Sequence, residues 1–244
     1  MADAPRPPAA APAPPGPSNE RHNATYFDAW TNYQELVHTL DTYASTTRAL
    51  AGELRGRVVD VGSGGVVNYD CAPITELTLV DISTEYLRHA TVPPTALVRT
   101  GSAVALPLED GAYDGVLMQM LVHHLAERDF ATTRDRSETA FREAFRVLRP
   151  GGRLVVLESV VHPGFELAEH LLFPMTRLAL RLLGHPLVLQ WSAARLEAFA
   201  RAAGFDPVQR SRVPRGRWQI FLGRRWPTAL VPVSVCKLVA VKPA

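Results

Sequence analysis

The stretch Val58-Val59-Asp60-Val61-Gly62-Ser63-Gly64-Gly65 constrains this chain more than any other. A β-rich apolar run passes straight into a turn with glycine at three of its four positions, so a buried strand ends where the backbone must stay bare. Cβ atoms would keep a ligand from approaching such a turn. A second β-rich run, Leu77 to Val80, ends on Asp81, twenty-one residues after Asp60. At that separation a carboxylate closing the neighbouring strand can accept both hydroxyls of a ribose held over the turn. Glycine turns also occur for purely steric reasons, and it is the pairing with Asp81 that gives this one chemical meaning.

Around this nucleus β-rich runs alternate with helical stretches. The strands read as Arg57 to Val61, Leu77 to Val80, Ala96 to Arg99, Gly115 to Met118, Arg153 to Leu157 and Val233 to Val241. Such alternation predicts an α/β fold, a doubly wound, mostly parallel sheet with helices on both faces. Apolar residues at three- and four-residue intervals from Tyr26 to Leu54 predict helices before the sheet. Ser137 to Leu148 reads as a helix stopped by Pro150-Gly151-Gly152, and Ser192 to Ala203 as a helix with Ser192 as N-cap and Gly204 as its stop. Pro73 leaves room after the glycine turn for only a short helix, Val66 to Ala72.

Composition narrows the class. The 244 residues, 47% hydrophobic and 20% charged, suit one domain plus a tail, and residues 1–19, rich in Ala and Pro, read as that disordered tail. Residues 20–244 then form the domain. A net charge of +2 is too balanced for the broad basic footprint of a nucleic-acid binder. Cys71 and Cys236 are distant and lack Cys-x-x-Cys spacing, so a disulfide framework and a cysteine zinc site are both excluded, as a reducing cytoplasm requires. No run reaches the roughly 18 apolar residues of a membrane span, nor does the N-terminus read as a secretion signal.

The turn's chemistry favours one ligand. A dinucleotide frame starting at Gly62 and Gly64 would need a third glycine where Val67 stands. Asp60 beside the turn would repel a second phosphate and attract a cationic amino-acid end. S-adenosylmethionine has that end and a ribose. The motif series Asp60-Val61-Gly62-Ser63-Gly64, Asp81, Gly101-Ser102-Ala103 through Leu108, Tyr113-Asp114-Gly115-Val116, Leu121-Val122-His123-His124-Leu125 and Arg146 through Gly152 resembles the class I S-adenosylmethionine-dependent methyltransferases. Within them it is similar to the small-molecule, quinone-biosynthesis type, the methyltransferase type 11 domain.

That resemblance implies a Rossmann-like, seven-stranded sheet whose last strand runs antiparallel. It implies Gly62, Ser63, Gly64 and Gly65 along the methionine end, Asp60 orienting that end, Asp81 with Ile82 at the ribose, Ser102 and Ala103 bordering adenine, and Gln119 facing the cofactor. Two departures stand out: Val66 where the family usually has glycine, and uncharged Ser102 where it often has an acid.

Methyl transfer needs an acceptor held in line on a dry axis, and a base helps when the acceptor carries a proton. His123 and His124, just after the fourth strand, are the local candidates for that base. Supporting carboxylates at metal-ligand spacing are absent, so no metal is expected. Tyr26, Trp30 and Tyr33 would cover the acceptor by family resemblance, or pack the core. An insert over residues 162–190 with Phe165, Leu167, Leu171, Leu172, Phe173, Met175, Leu178, Leu182 and Leu183 would be the acceptor lid, and its leucines would serve as pocket or core. Arg210, Arg212, Arg215, Arg217, Arg224 and Arg225 with Trp218 and Trp226 could bind a carboxylate, a phosphate or an acidic carrier protein, or form a solvated hairpin face.

The expected function is thus a methyltransferase for a small, partly apolar metabolite in bacterial secondary metabolism. A non-catalytic binding protein on the same fold is the alternative. An NAD-dependent oxidoreductase is disfavoured by Val67 and by the lack of a Tyr-x-x-x-Lys pair.

Overall fold

The alternation of β-rich and helical runs closes into one mixed sheet in the computed structural model, which describes residues 19–28, 40–83, 93–221 and 224–244. Residues 1–18, Trp30 and Tyr33 lie outside the described residues. Asn19, placed in the tail by composition, already belongs to helix α1 (Asn19–Asp28). Next come α2 (Asp41–Leu50), β1 (Gly56–Val61), β2 (Ile74–Asp81), β3 (Leu97–Thr100) and β4 (Tyr113–Gln119). After a 3-10 turn at Val122–Leu125 follow α3 (Phe130–Val147), β5 (Leu148–Val161), α4 (Pro163–Leu182), β6 (Trp191–Ser192) and α5 (Ala193–Ala202). The chain ends with β7 (Val208–Val213), the hairpin β8 (Trp218–Phe221) and β9 (Arg224–Pro227), and β10 (Ser234–Val241).

The sheet order is β3-β2-β1-β4-β5-β10-β7, parallel from β3 to β5, with β10 antiparallel to both of its neighbours. An eighth strand, the two-residue β6, pairs beside Val160 and Val161. This is the doubly wound Rossmann-like arrangement with an antiparallel last strand. Side chains of successive strand residues point to opposite faces, so Val59, Val61, Val116 and Met118 pack with Phe141 of α3 and Phe199 of α5, whereas Val58 and Leu117 pack with Leu50 and Leu54.

Three local readings need correction. Helix α3 begins at Phe130, well before Ser137, because the Asp129 carboxylate accepts from Thr132 N at 2.8 Å and caps it there. No helix forms at Val66–Ala72: with Pro73 waiting, the segment stays irregular, and Asn68 and Tyr69 turn inward. The leucines singled out in the 162–190 insert are neither core nor pocket wall, and the insert reaches the core instead through Leu180, Leu187 and Leu189. Of the nine apolar residues in that set only Phe173 is buried, and Leu171, Met175 and Leu182 are 71%, 69% and 77% exposed.

The missing helix leaves Tyr69 to cover β1. Its hydroxyl donates to Asp60 Oδ2 at 2.8 Å, and Asp60 is 1% exposed, beneath the turn. Burial lifts the Asp60 carboxyl to about 7, with the Asp81 charge adding and the Tyr69 bond opposing. The folded chain therefore holds this proton more tightly than the unfolded one. Its stabilising contribution is complete below the ordinary value of 3.8 and is lost as pH climbs through about 7. Urea unfolding of Asp60→Asn should accordingly match wild type near pH 4 and exceed it near pH 8. The gap should widen by at most about 1.4 kcal/mol for each pH step of one between those limits.

Candidate active site at the carboxyl edge of the sheet

A cavity of about 320 Å³ opens where β1, β2 and β4 end, bordered by α1, α2 and the segments after α4 and β8. Its floor is the glycine turn. Gly62, Gly64 and Gly65 have φ of +67°, +51° and +70°, a left-handed series that side chains resist. Gly62, Ser63 and Gly64 line the cavity. Gly65 does not; it is buried in the turn, its amide donating to Ser63 Oγ at 3.3 Å. Asp60 is absent from the wall as well, because period-two alternation turns it toward Tyr69.

Asp81 reaches the wall from the end of β2, where Oδ2 accepts from Gly64 N and Oδ1 from Ser83 N, both at 3.0 Å. One carboxylate thereby ties the turn to the second strand. Ile82 and Ser83 follow it along the wall. Gln119 and Met120 close β4. Gln119 Oε1 is buried without a hydrogen-bond partner, and Met120 holds φ of 51°, costly for a side chain with a Cβ. Asn23 Oδ1 and Gln219 Nε2 are further unpartnered buried atoms of lining residues. A bare glycine cradle, a strand-end carboxylate and unmet donors and acceptors around one apolar space fit a polar nucleoside with an amino-acid end.

Ser102 is not part of the wall, although Gly101 and Ala103 are. Its hydroxyl instead donates to Glu20 Oε1 at 2.5 Å, and Glu20 lines the cavity while pairing with Arg136. The acidic group lacking after Gly101 thus arrives from α1. No local pattern hints at this, since 82 residues separate the partners.

His123 and His124 both line the cavity, with ring centroids 4.0 Å apart. They differ in kind. His123 Nδ1 lies 2.6 Å from Glu158 Oε1, and Glu158, 1% exposed on β5, also accepts from Val122 N at 2.6 Å and Ser159 N at 2.7 Å. A carboxylate only accepts, so the proton of the neutral imidazole resides on Nδ1 and Nε2 carries the lone pair. Burial, then the adjacent His123, pushes His124 well below the ordinary histidine range and keeps it neutral. The network continues from Ser159 Oγ to Gln190 Oε1 at 2.8 Å and from Gln190 N to Glu169 Oε2 at 3.1 Å. Glu158, Ser159 and Gln190 belong to none of the sequence motifs. Glu158 follows the apolar run of β5 directly, and a carboxylate continuing a buried strand is the one signal that marks it. Tyr26 joins the wall near His185, ring centroids 6.2 Å apart.

Comparisons with known proteins bear on the family and the fold. The family model described as a methyltransferase domain matches residues 59–156. The ubiquinone/menaquinone biosynthesis C-methyltransferase UbiE of Roseobacter denitrificans is 42% identical over 59 residues, which is 24% of this chain and only 20% of that protein. A chain from the Haloferax volcanii complex of the Trm112 methyltransferase activator with a methyltransferase superposes with a TM-score of 0.66 at 18% identity, covering 91% of this chain and 97% of that one. The [4+2]-cyclase SpnF gives 0.63 at 18% identity, covering 94% and 98%. At such identities the two structures speak for the fold alone.

Gly62→Ala would place its Cβ 2.5 Å from Leu121 Cδ1 at a φ of +67°. We expect it to lose about 1–2 kcal/mol in urea unfolding from the left-handed backbone alone. Gly52→Ala, with φ of +75° and nothing within 4 Å, supplies the control for that cost, and any excess in Gly62→Ala measures the crowding at Leu121.

Proposed function

We propose that this chain, whose residues 59–156 match a methyltransferase domain, is a class I methyltransferase that transfers a methyl group from S-adenosylmethionine to a small, partly apolar metabolite. One observation carries this reading: a single cavity joins the Asp81-anchored glycine turn to a histidine oriented by a buried carboxylate.

Gly62, Ser63 and Gly64 would hold the amino-acid end of the cofactor, Asp81 the ribose, and Glu20 with Ala103 the adenine. When bound, the cofactor supplies an electrophilic methyl on a sulfonium. The chain's own work is then to exclude water and to receive a proton. The apolar walls around Leu40, Val66, Leu121 and Val188 keep the space dry, which strengthens every polar contact inside it. His123 Nε2 takes the proton an O–H, N–H or C–H acceptor gives up, and Glu158 stabilises the resulting imidazolium through Nδ1. His124, held neutral, shapes the wall.

The second reading is a binding protein of the same fold without methyl transfer. Val66, 9% exposed in the wall where the family usually has glycine, favours it.

Calorimetric titration with S-adenosylhomocysteine should give micromolar binding, none with NAD, and at least a tenfold loss of affinity in Asp81→Ala; absence of binding at millimolar ligand would refute the cofactor assignment. Release of S-adenosylhomocysteine across a panel of acceptors then separates the two readings. Where turnover is found, His123→Ala should lower kcat by roughly 10²–10⁴ with cofactor affinity unchanged. Binding without turnover would favour the second reading.

A further inference from the structure

The wall of the cavity explains neither the outer face of α4 nor the β8–β9 hairpin. Helix α4 leaves the end of β5 and its chain returns to β6, which pairs beside Val160 and Val161, so the whole insert projects from the carboxyl edge of the sheet. The β8–β9 hairpin springs from the same edge, because β7 runs toward it and β10 starts from it. The insert borders the cavity through His185, Pro186, Val188 and Gln190 after α4, and the hairpin through Gln219.

Their exposed faces share one unusual chemistry. Leu167, Leu171, Met175, Leu178 and Leu182 recur at intervals of four, four, three and four and are 58–77% exposed, one continuous apolar stripe along α4. Its two carboxylates turn away from the solvent: Glu166 accepts from Ser192 N and Arg195 Nε, each at 2.9 Å, and Glu169 from Gln190 N at 3.1 Å. Arg177 and Arg181 remain exposed. On the hairpin, Trp218 and Trp226 are 36% and 40% exposed, the Arg225 guanidinium lies 4.7 Å over the Trp218 ring, and Arg224 is exposed beside them. No acidic residue occurs between Glu169 and Glu197, nor anywhere after Asp206.

We propose that α4 and the hairpin together dock this protein on an anionic phospholipid surface. Leucines and methionine at that depth remove apolar area from water, the tryptophans take the interfacial level, and the arginines meet lipid phosphates. A second copy of the chain is the poorer occupant, since a two-fold contact would bring arginines together with no exposed carboxylate from either face to pair them. Docked so, the cavity mouth adjoins the bilayer. An apolar acceptor dissolved there could enter without crossing water, a consequence that rests on the function proposed above; the docking itself does not.

The test is vesicle flotation of the full chain without cofactor, on phosphatidylcholine alone and with about a third phosphatidylglycerol, at low and high salt. Binding should be confined to the anionic vesicles and fall with salt. Arg177→Ala and Arg181→Ala should each cost about fivefold in partitioning, and Leu171→Glu with Leu178→Glu at least tenfold. Trp218→Ser with Trp226→Ser should also cost at least tenfold. Circular dichroism of each variant establishes that it is folded. Wild type that ignores anionic vesicles, or leucine variants that bind as wild type does, would overturn the proposal. A dimer in sedimentation equilibrium that the leucine variants dissolve would assign the face to self-association instead. Loss confined to the α4 variants would overturn the hairpin's share. Because neither cofactor nor turnover enters the measurement, its failure leaves the methyltransferase reading standing.

Discussion

The carboxylate of Glu158 is the contact on which the active end of the molecule depends. Almost wholly buried, it accepts from the amides of Val122 and Ser159 and from the His123 ring, so it joins the exit of β4 to the end of β5 and aims a functional group at the same time. An unpaired buried charge would be severely destabilising, and its surroundings are therefore bound to satisfy it. Met120, with φ of 51°, lies between Gln119 and the turn whose Val122 amide donates to Glu158. A second carboxylate, Asp81, does the equivalent work between β1 and β2. The cavity lies between the two.

Much of this is legible in the chain. The glycine turn, Asp81 and the histidine pair are read from local patterns, since a strand end and the turn after it are set by a few adjacent residues, whereas Gln119 is reached only through the family resemblance. What escapes reading depends on distant partners. Glu20 reaches Ser102 across 82 residues, and nothing in α1 alone marks it as a substitute for the missing acid. Asp60 illustrates the opposite failure. Its place in the motif suggests contact with a ligand, but the loss of a helix at residues 66–72 lets Tyr69 fold inward and claim it. The leucines of α4 read as pocket or core because apolar periodicity usually points inward. Periodicity identifies a face; it does not say which side of the helix the protein is on.

The same separation explains how one sheet carries two kinds of surface. At the cavity, apolar walls isolate a few oriented polar groups. On α4 and the hairpin, apolar and basic groups face outward with no acid between them. Between them Glu166 and Glu169 turn inward and hold the loop that leads to β6, accepting from Ser192 N and Gln190 N.

Helix α1 closes the cavity in a different way from the strands below it. Asn19 donates to Ala126 O at 2.7 Å and Asn23 to His124 O at 3.0 Å, across 107 and 101 residues. With the Glu20 links to Ser102 and Arg136, these contacts tie α1 to the turn beyond β4, to the segment after β3 and to α3. The helix is joined to the rest by side-chain links rather than by the sheet's ladder. Detaching it breaks no strand pairing. The roof of the cavity can thereby open locally while the sheet remains intact, which separates the exchange of small molecules with the interior from the unfolding of the strands.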